Sequence, residues 1–249
     1  MKCVIFSGTT EGRRLSAQLA RLGADITVCV ATEYGREEQG ALPGVAVLSG
    51  RMDEEAMART VAGADVCVDA THPYAIQASR TIHAACGREG IPLLRLLREA
   101  RPVPAGAAVF DGAQAAADWL KGTRGNILLT TGAKDLGAFA PLGGERIYPR
   151  VLPLAASLEA CRAAGIPARN ILALQGPFTQ ELNEALIRQH HIQYLVTKDG
   201  GRAGGFDEKA AAAQAAGAKL VLLRRPEEGG EGLDYEAVLQ RCGEMMECR

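Results

Sequence analysis

The sequence is short of the features that mark several classes of protein. Phe 5, Trp 1 and Tyr 5 among 249 residues are too few for an aromatic platform that stacks single-stranded bases. Lys+Arg 28 against Asp+Glu 29 leaves a formal net charge of −1, and no basic run exceeds two residues. The basic face by which a duplex binder displaces counterions is therefore missing, and no nucleic-acid partner is expected. No apolar run approaches the roughly 20 residues that cross a bilayer, so no membrane partner is expected either. The apolar start, Met1–Gly8, is too short for a signal peptide and reads as a buried first strand. The seven cysteines (3, 29, 67, 86, 161, 242 and 248) are scattered, odd in number and without a CxxC pair. They read as small core residues of a cytoplasmic protein, with no metal site.

What is present is a 47% hydrophobic chain long enough for one large domain or two small ones. Short apolar runs alternate with longer helical patterns, the signature of parallel βαβ units covered on both faces. The patterning predicts strands over Lys2–Phe6, Asp25–Ala31, Val45–Leu48, Asp65–Asp69 and Pro92–Leu97, with helices over Glu11–Leu22, Asp53–Ala62 and Ala75–Glu89. Two prolines and a glycine in Glu99–Gly106 then break the rhythm, as an exposed connection would. The alternation resumes with strands over Ile127–Thr131, Arg146–Arg150, Ile171–Leu174, Tyr194–Thr197 and Lys219–Leu223. Helices are expected over Ala113–Lys121, Ala155–Ala164, Thr179–His190, Glu208–Ala216 and Tyr235–Met246. The expected organisation is an α/β domain over 1–98, a linker over 99–105 and a second α/β domain over 106–249. Glu227–Gly232 reads as a solvated loop.

Polar residues gather where strands end. Ser7-Gly8-Thr9-Thr10-Glu11-Gly12-Arg13 passes from the first strand into a helix, which suits a phosphate held by glycine-exposed backbone and free N–H groups. It matches neither GxGxxG nor a Walker loop, and a tight turn with a Thr cap is the competing reading. Ala31-Thr32-Glu33-Tyr34-Gly35-Arg36 stands where dinucleotide folds meet the adenosine ribose. Glu33 there suits a free 2′-hydroxyl, whereas Arg13, Arg36 or Arg51 would suit a 2′-phosphate; solvated surface arginines are the alternative. Asp69-Ala70-Thr71-His72-Pro73-Tyr74-Ala75 closes the fourth strand, and His72 there could donate, accept or shuttle a proton near neutral pH. In the second half the polar strand ends are Thr130–Asp135, Ala173–Phe178 and Val196–Gly201, with Lys134, Arg150 and Lys198 as an anion-attracting set. Ordinary capping by glycine is compatible with the same turns. The pair His190-His191 ends a helix and reads as charge complementation of its terminus.

These motifs in combination resemble a known family. SGTTEGR (Ser7–Arg13), ATEYGR (Ala31–Arg36), GRMD (Gly50–Asp53), DATHPYA (Asp69–Ala75), TTGAKDL (Thr130–Leu136), LQGPFTQELN (Leu174–Asn183), TKDGG (Thr197–Gly201) and RRP (Arg224–Pro226) are similar to precorrin-6A reductases of cobalamin biosynthesis. The matches run in order over nearly the whole chain, and DATHP and LQGPF are the most specific. The resemblance implies two Rossmann-like domains of mostly parallel sheet with an interdomain cleft. It further implies NADPH as cofactor, a tetrapyrrole substrate, and hydride transfer to precorrin-6A or, in the anaerobic branch, to its cobalt form. Under it Gly8, Thr9, Thr10 and Gly12 hold the pyrophosphate, one of Arg13, Arg36 and Arg51 meets the 2′-phosphate, and Thr32 lies in the ribose loop. Thr71 and Pro73 flank the nicotinamide ribose, while Lys134, Arg150, Gln175, Gly176 and Lys198 are candidates to hold the substrate and its carboxylates. Proton donors would come from His72, Tyr74, Asp199 or water. Two departures stand out: Ser7 where the family usually has glycine, and Gly200 where it often has serine. The rival readings are an NADP-dependent reductase of another substrate and a non-catalytic dinucleotide sensor, which would leave the second half's polar strand ends without purpose.

Overall fold

The computed structural model describes residues 1–97, 102–201, 204–225 and 232–247. Cys248, Pro226, the greater part of the Glu227–Gly232 loop and the 99–101 stretch of the expected linker lie outside them. The chain divides into two compact units, Met1–Glu99 with Pro226–Arg249, and Ala100–Arg225.

The first unit runs β1 (Lys2–Phe6), α1 (Thr10–Arg21), β2 (Asp25–Val30), α2 (Glu33–Gln39), β3 (Val45–Ser49), α3 (Glu54–Val61), β4 (Val66–Asp69), α4 (Ile76–Glu89) and β5 (Leu93–Arg95). Its sheet is parallel in the order β3-β2-β1-β4-β5. Alternating residues of β1 build opposite faces: Cys3 and Ile5 join one apolar cluster with Leu15 and Leu19, Val4 and Phe6 another with Val61 and Ile82. The strand order reverses between β1 and β4, where Phe6 stands opposite Asp69. At such a reversal the helices leave to opposite faces, and a crevice opens beyond the strand ends.

The second unit runs β6 (Ala108–Phe110), α5 (Ala113–Lys121), β7 (Asn126–Leu129), α6 (Leu136–Phe139), β8 (Ile147–Val151), α7 (Ala155–Ala163), β9 (Leu172–Ala173), α8 (Gln180–Gln189), β10 (Ile192–Lys198), α9 (Phe206–Ala215) and β11 (Lys219–Leu223). Its parallel sheet has the order β6-β11-β10-β7-β8-β9, so the reversal here falls between β7 and β10. Ile127, Leu129 and Val196 face one apolar layer, Leu128 and Leu195 the other.

Four elements depart from the sequence reading, the four-residue helix α6 among them. Helix α2, Glu-Tyr-Gly-Arg-Glu-Glu-Gln, has no apolar stripe; it is held by the Thr32 cap and by Gln39, which donates to Ser16 Oγ at 2.9 Å. Strand β6 has three residues and pairs with β11 alone, too short for a period to register. The last helix, α10 (Tyr235–Glu247), was expected in the second domain, but its Val238 and Cys242 are buried in the β1–β2 apolar cluster of the first unit. Tyr235 donates to Gln18 Oε1 at 2.9 Å, and Leu233 exchanges backbone hydrogen bonds with Arg95 and Leu97. The reason is burial: α1 and α10 together cover one face of the first sheet. Val238→Asp should therefore destabilise the protein by about 3 kcal/mol or more in urea unfolding, as an uncompensated charge placed in a core does. A surface-like effect would mean that α10 does not cover this face.

Candidate active site

In the first unit the two loops at the strand reversal are tied to each other. Thr9 caps α1, accepting from Gly12 N–H at 3.1 Å, and its hydroxyl donates to the Ala70 carbonyl at 2.9 Å. Ala70 N–H in turn donates to the Phe6 carbonyl at 2.8 Å. The turn therefore cannot drift from the end of β4. Gly8 has φ +139, a region that favours glycine, and open space where a Cβ would stand. Gly12 is the opposite case: a Cβ there would lie 2.5 Å from Ser7 Oγ and 3.0 Å from Ala70 Cβ. Ser7 Oγ is buried with no hydrogen-bond partner among the described residues. A closely approachable backbone, a helix N-terminus and an orphaned buried hydroxyl suit a dinucleotide pyrophosphate. Thr10 opens α1 and accepts from Arg13 at 3.3 Å.

The neighbouring arginines differ in how they are engaged. Arg13 pairs with Glu38 at 2.8 Å. Arg36 donates to the Val47 carbonyl at 3.0 Å and lies 3.7 Å from Glu33, which itself accepts from Ser49. Arg51 is exposed and forms no ion pair with a described residue. Thr32 spends its hydroxyl on the cap of α2, accepting from Gly35 at 3.0 Å.

The Asp69–Ala75 loop is built around an ion pair whose carboxylate is buried. Asp69 Oδ1 accepts from Thr71 N–H at 3.0 Å, Thr71 Oγ1 at 2.7 Å and Arg95 Nη1 at 3.1 Å. Arg95 also donates to the Asp69 and Thr71 carbonyls, each at 3.0 Å. Pro73 is buried; His72 and Tyr74 are half-buried with ring centroids 5.4 Å apart. His72 Nδ1 accepts from Tyr74 N–H at 3.3 Å, which leaves the proton of a neutral ring on Nε2.

In the second unit, Lys198 at the end of β10 reaches back to the end of β7, donating to the Thr131 carbonyl at 3.1 Å and pairing with Asp135 at 2.7 Å. Buried Asp199 accepts from Gly201 N–H at 3.2 Å and faces Arg225 at 3.5 Å. Lys134 is exposed on the short turn after β7, and Gln175 and Gly176 are exposed on the loop after β9. Arg150 is not a surface cation. It is 7% exposed, stacked 3.9 Å from the Phe178 ring centroid and bonded to Asn183 Oδ1 at 2.7 Å. Burial pulls its guanidinium down to about 10. Beside it lies Lys209 of α9, 8% exposed, donating to Thr197 Oγ1 at 3.2 Å. Burial, and next the Arg150 charge, lower this ammonium to about 7.

The sequence motifs mark Thr9, Gly12, Thr71 and His72, which this reversal gathers, and contain neither Arg95 nor Lys209. The Asp-x-Thr turn of DATHP is a local signal for the buried carboxylate. Arg95 and Lys209 carry none, since one ends an ordinary strand and the other sits in an alanine-rich helix. His190 caps α8, with its ring 4.7 Å from that of Tyr148. Among the described residues no group of three or more His, Cys, Asp or Glu could hold a metal ion, and no helix is long and apolar enough to cross a membrane. The six described cysteines are free and buried.

Comparison with known proteins gives this geometry a context. The family model of precorrin-6x reductase CbiJ/CobK matches residues 2–243. The chain belongs to this family. A cobalt-precorrin-6A reductase of Priestia megaterium is 33% identical over 235 residues, covering 90% of each chain. One of Methanothermobacter thermautotrophicus is 32% identical over 99% of this chain and 83% of its own. A precorrin-6A reductase of Rhodococcus erythropolis is 36% identical over 90% of this chain and 89% of its own. The solved structure of CobK precorrin-6A reductase superposes with a TM-score of 0.80 at 23% identity, over 98% of this chain and 97% of that one, so it shares the fold. A reductase family built on this α/β fold points to a nicotinamide cofactor.

Two outcomes follow from the buried charges of this precorrin-6x reductase family member. Arg95→Met should cost about 3–5 kcal/mol in urea unfolding, because Asp69 then stays buried and unpaired. Adding Asp69→Leu should recover most of that loss; no recovery would mean the pair is not what Arg95 supplies. Lys209 binds its proton less tightly folded than unfolded, so the unfolded state holds more protons above pH ~7 and stability should rise with pH there. Urea midpoints between pH ~7 and ~8, below the range where unfolded thiols ionise, should climb in the wild type and stay flatter in Lys209→Met.

Proposed function

We propose that the chain is a cytoplasmic NADPH-dependent reductase of precorrin-6A or cobalt-precorrin-6A. The observation that carries the reading is the first unit's strand reversal. There an orphaned Ser7 Oγ lies beside Gly12, where a side chain has no room, and the ion pair of Arg95 with buried Asp69 fixes the adjoining loop. Membership of a reductase family supports the chemistry.

NADPH, when bound, supplies the hydride. The chain's own residues bind and orient. Gly8, Thr9, Thr10 and Gly12 take the pyrophosphate, Ser7 Oγ adding a donor, and Thr32 borders the ribose. Arg51 is favoured over Arg13 and Arg36 for the 2′-phosphate, since the latter two already engage Glu38 and the Val47 carbonyl. Thr71 and Pro73 border the nicotinamide ribose. Lys134, Arg150, Gln175, Gly176 and Lys198 receive the tetrapyrrole, the cations taking its peripheral carboxylates. The carbon beside the reduced centre takes a proton from His72 Nε2, with Tyr74, Asp199 and water as the other candidates.

Anaerobic incubation with NADPH and either precorrin-6A or its cobalt form, followed by NADPH absorbance, tests the assignment. Oxidation with one of them is expected and identifies the substrate; oxidation with neither overturns the reading. In the same assay Arg51→Ala should raise KM for NADPH about tenfold or more and leave that for NADH unchanged. His72→Ala should lower kcat by about 10²-fold or more with binding retained. Unchanged turnover would remove His72 from the mechanism.

A further inference from the structure

The second unit buries two cations, Arg150 and Lys209, whose hydrogen bonds go to neutral groups. Arg150 comes from β8 and Lys209 from α9, and between the sheet and the α8–α9 layer their polar partners are the neutral Asn183 amide and Thr197 hydroxyl. Neither forms an ion pair with a described residue. Asn183 and Thr197 are fully buried. Two like charges held together out of water are unfavourable on both counts, desolvation and repulsion. Such an arrangement is retained at a cost to the fold unless an anion joins it.

We propose that Arg150 and Lys209 form a buried subsite for one carboxylate of the substrate, at the carboxyl end of the second sheet. This rests on the reading of the substrate as a carboxylate-rimmed tetrapyrrole, and it adds Lys209, which that reading did not use. Phe178 stacks on the Arg150 guanidinium from the loop that carries Gln175 and Gly176, so one face of that guanidinium is apolar. A carboxylate placed between the two would accept charge-assisted hydrogen bonds from both.

Binding should take up a proton. Free Lys209 sits at about 7, and an anion beside it favours the charged form. Of the other groups facing α9, one acid already acts in that direction, and weakly. Glu208 of the same helix raises Lys209 only as a lesser influence than Arg150 lowers it, and its buried Oε2 has no hydrogen-bond partner among the described residues. On α8 Glu184 is held by Arg188 and Gln180, and on β10 Lys198 is tied to Asp135. From β11 come Leu220 and Leu222.

The test uses the full chain with two probes: uroporphyrin, a stable porphyrin rimmed with acetates and propionates, read by fluorescence titration, and citrate, read by thermal protection. Lys209→Met should raise the Tm of the ligand-free protein by roughly 2–4 °C, since it removes a buried unpaired charge. The same variant should weaken uroporphyrin at least about tenfold near pH ~6.5. It should also abolish the weakening that the wild type shows from pH ~7 to ~8, and Lys209→Arg should restore affinity without the pH dependence. A Lys209→Met protein that binds uroporphyrin like the wild type, with the same pH slope, overturns the subsite and leaves the tetrapyrrole reading intact. Wild type that ignores uroporphyrin but is protected by citrate, with Lys209→Met unprotected, keeps the carboxylate subsite and overturns the tetrapyrrole. A fall in the Tm of Lys209→Met, or no binding of either probe by the wild type, overturns the subsite.

Discussion

A parallel sheet covered by helices on both faces has almost nowhere to put polar chemistry except beyond the carboxyl ends of its strands. That constraint organises both units of this molecule. The strand interiors are runs of Val, Ile, Leu and Cys, and the groups that could meet a ligand lie at or just beyond the strand ends. At each reversal one side chain bridges the diverging loops, Thr9 to the Ala70 carbonyl in the first unit and Lys198 to Thr131 and Asp135 in the second. The bridges explain why loops made largely of small residues keep a defined shape.

Wherever a signal repeats along the chain, the sequence anticipates the structure. Strands β1 and β11 and helix α5 have the bounds their patterning predicts, because apolar runs closed by Gly, Asp or Lys leave little choice of ends. The turn at Ser7–Arg13 is legible for a similar reason, a glycine-rich stretch between strand and helix having few other uses. Helix α2 and strand β6 are not legible: one is held by a cap and a single buried glutamine, the other by one neighbouring strand. The location of α10 is a tertiary fact. Its apolar face fits either sheet by composition, and the packing of Val238 against the first sheet decides it.

The site shows the same division. Residues lying within a motif, such as Thr71 and His72, can be named from spacing, whereas their supports come from far along the chain. Arg95 is 26 residues from Asp69, and Asn183 is 33 residues from Arg150. A support of that kind carries no local pattern, since its only requirement is to end at the right point in space. For Arg150 the place at a strand end is legible in the sequence, whereas its stacking under Phe178 and its burial are not.

The return of α10 to the first sheet makes that unit discontinuous in the chain, with the whole of the second unit inserted between its parts. On the ribosome, residues 1–99 emerge before the second unit yet lack the helix that covers the β1–β2 face until residues 235–247 have been made. The second unit, later in the sequence, is complete earlier. Order of synthesis and order of completion are thus reversed, and during translation the exposed face belongs to the unit that bears the glycine cradle.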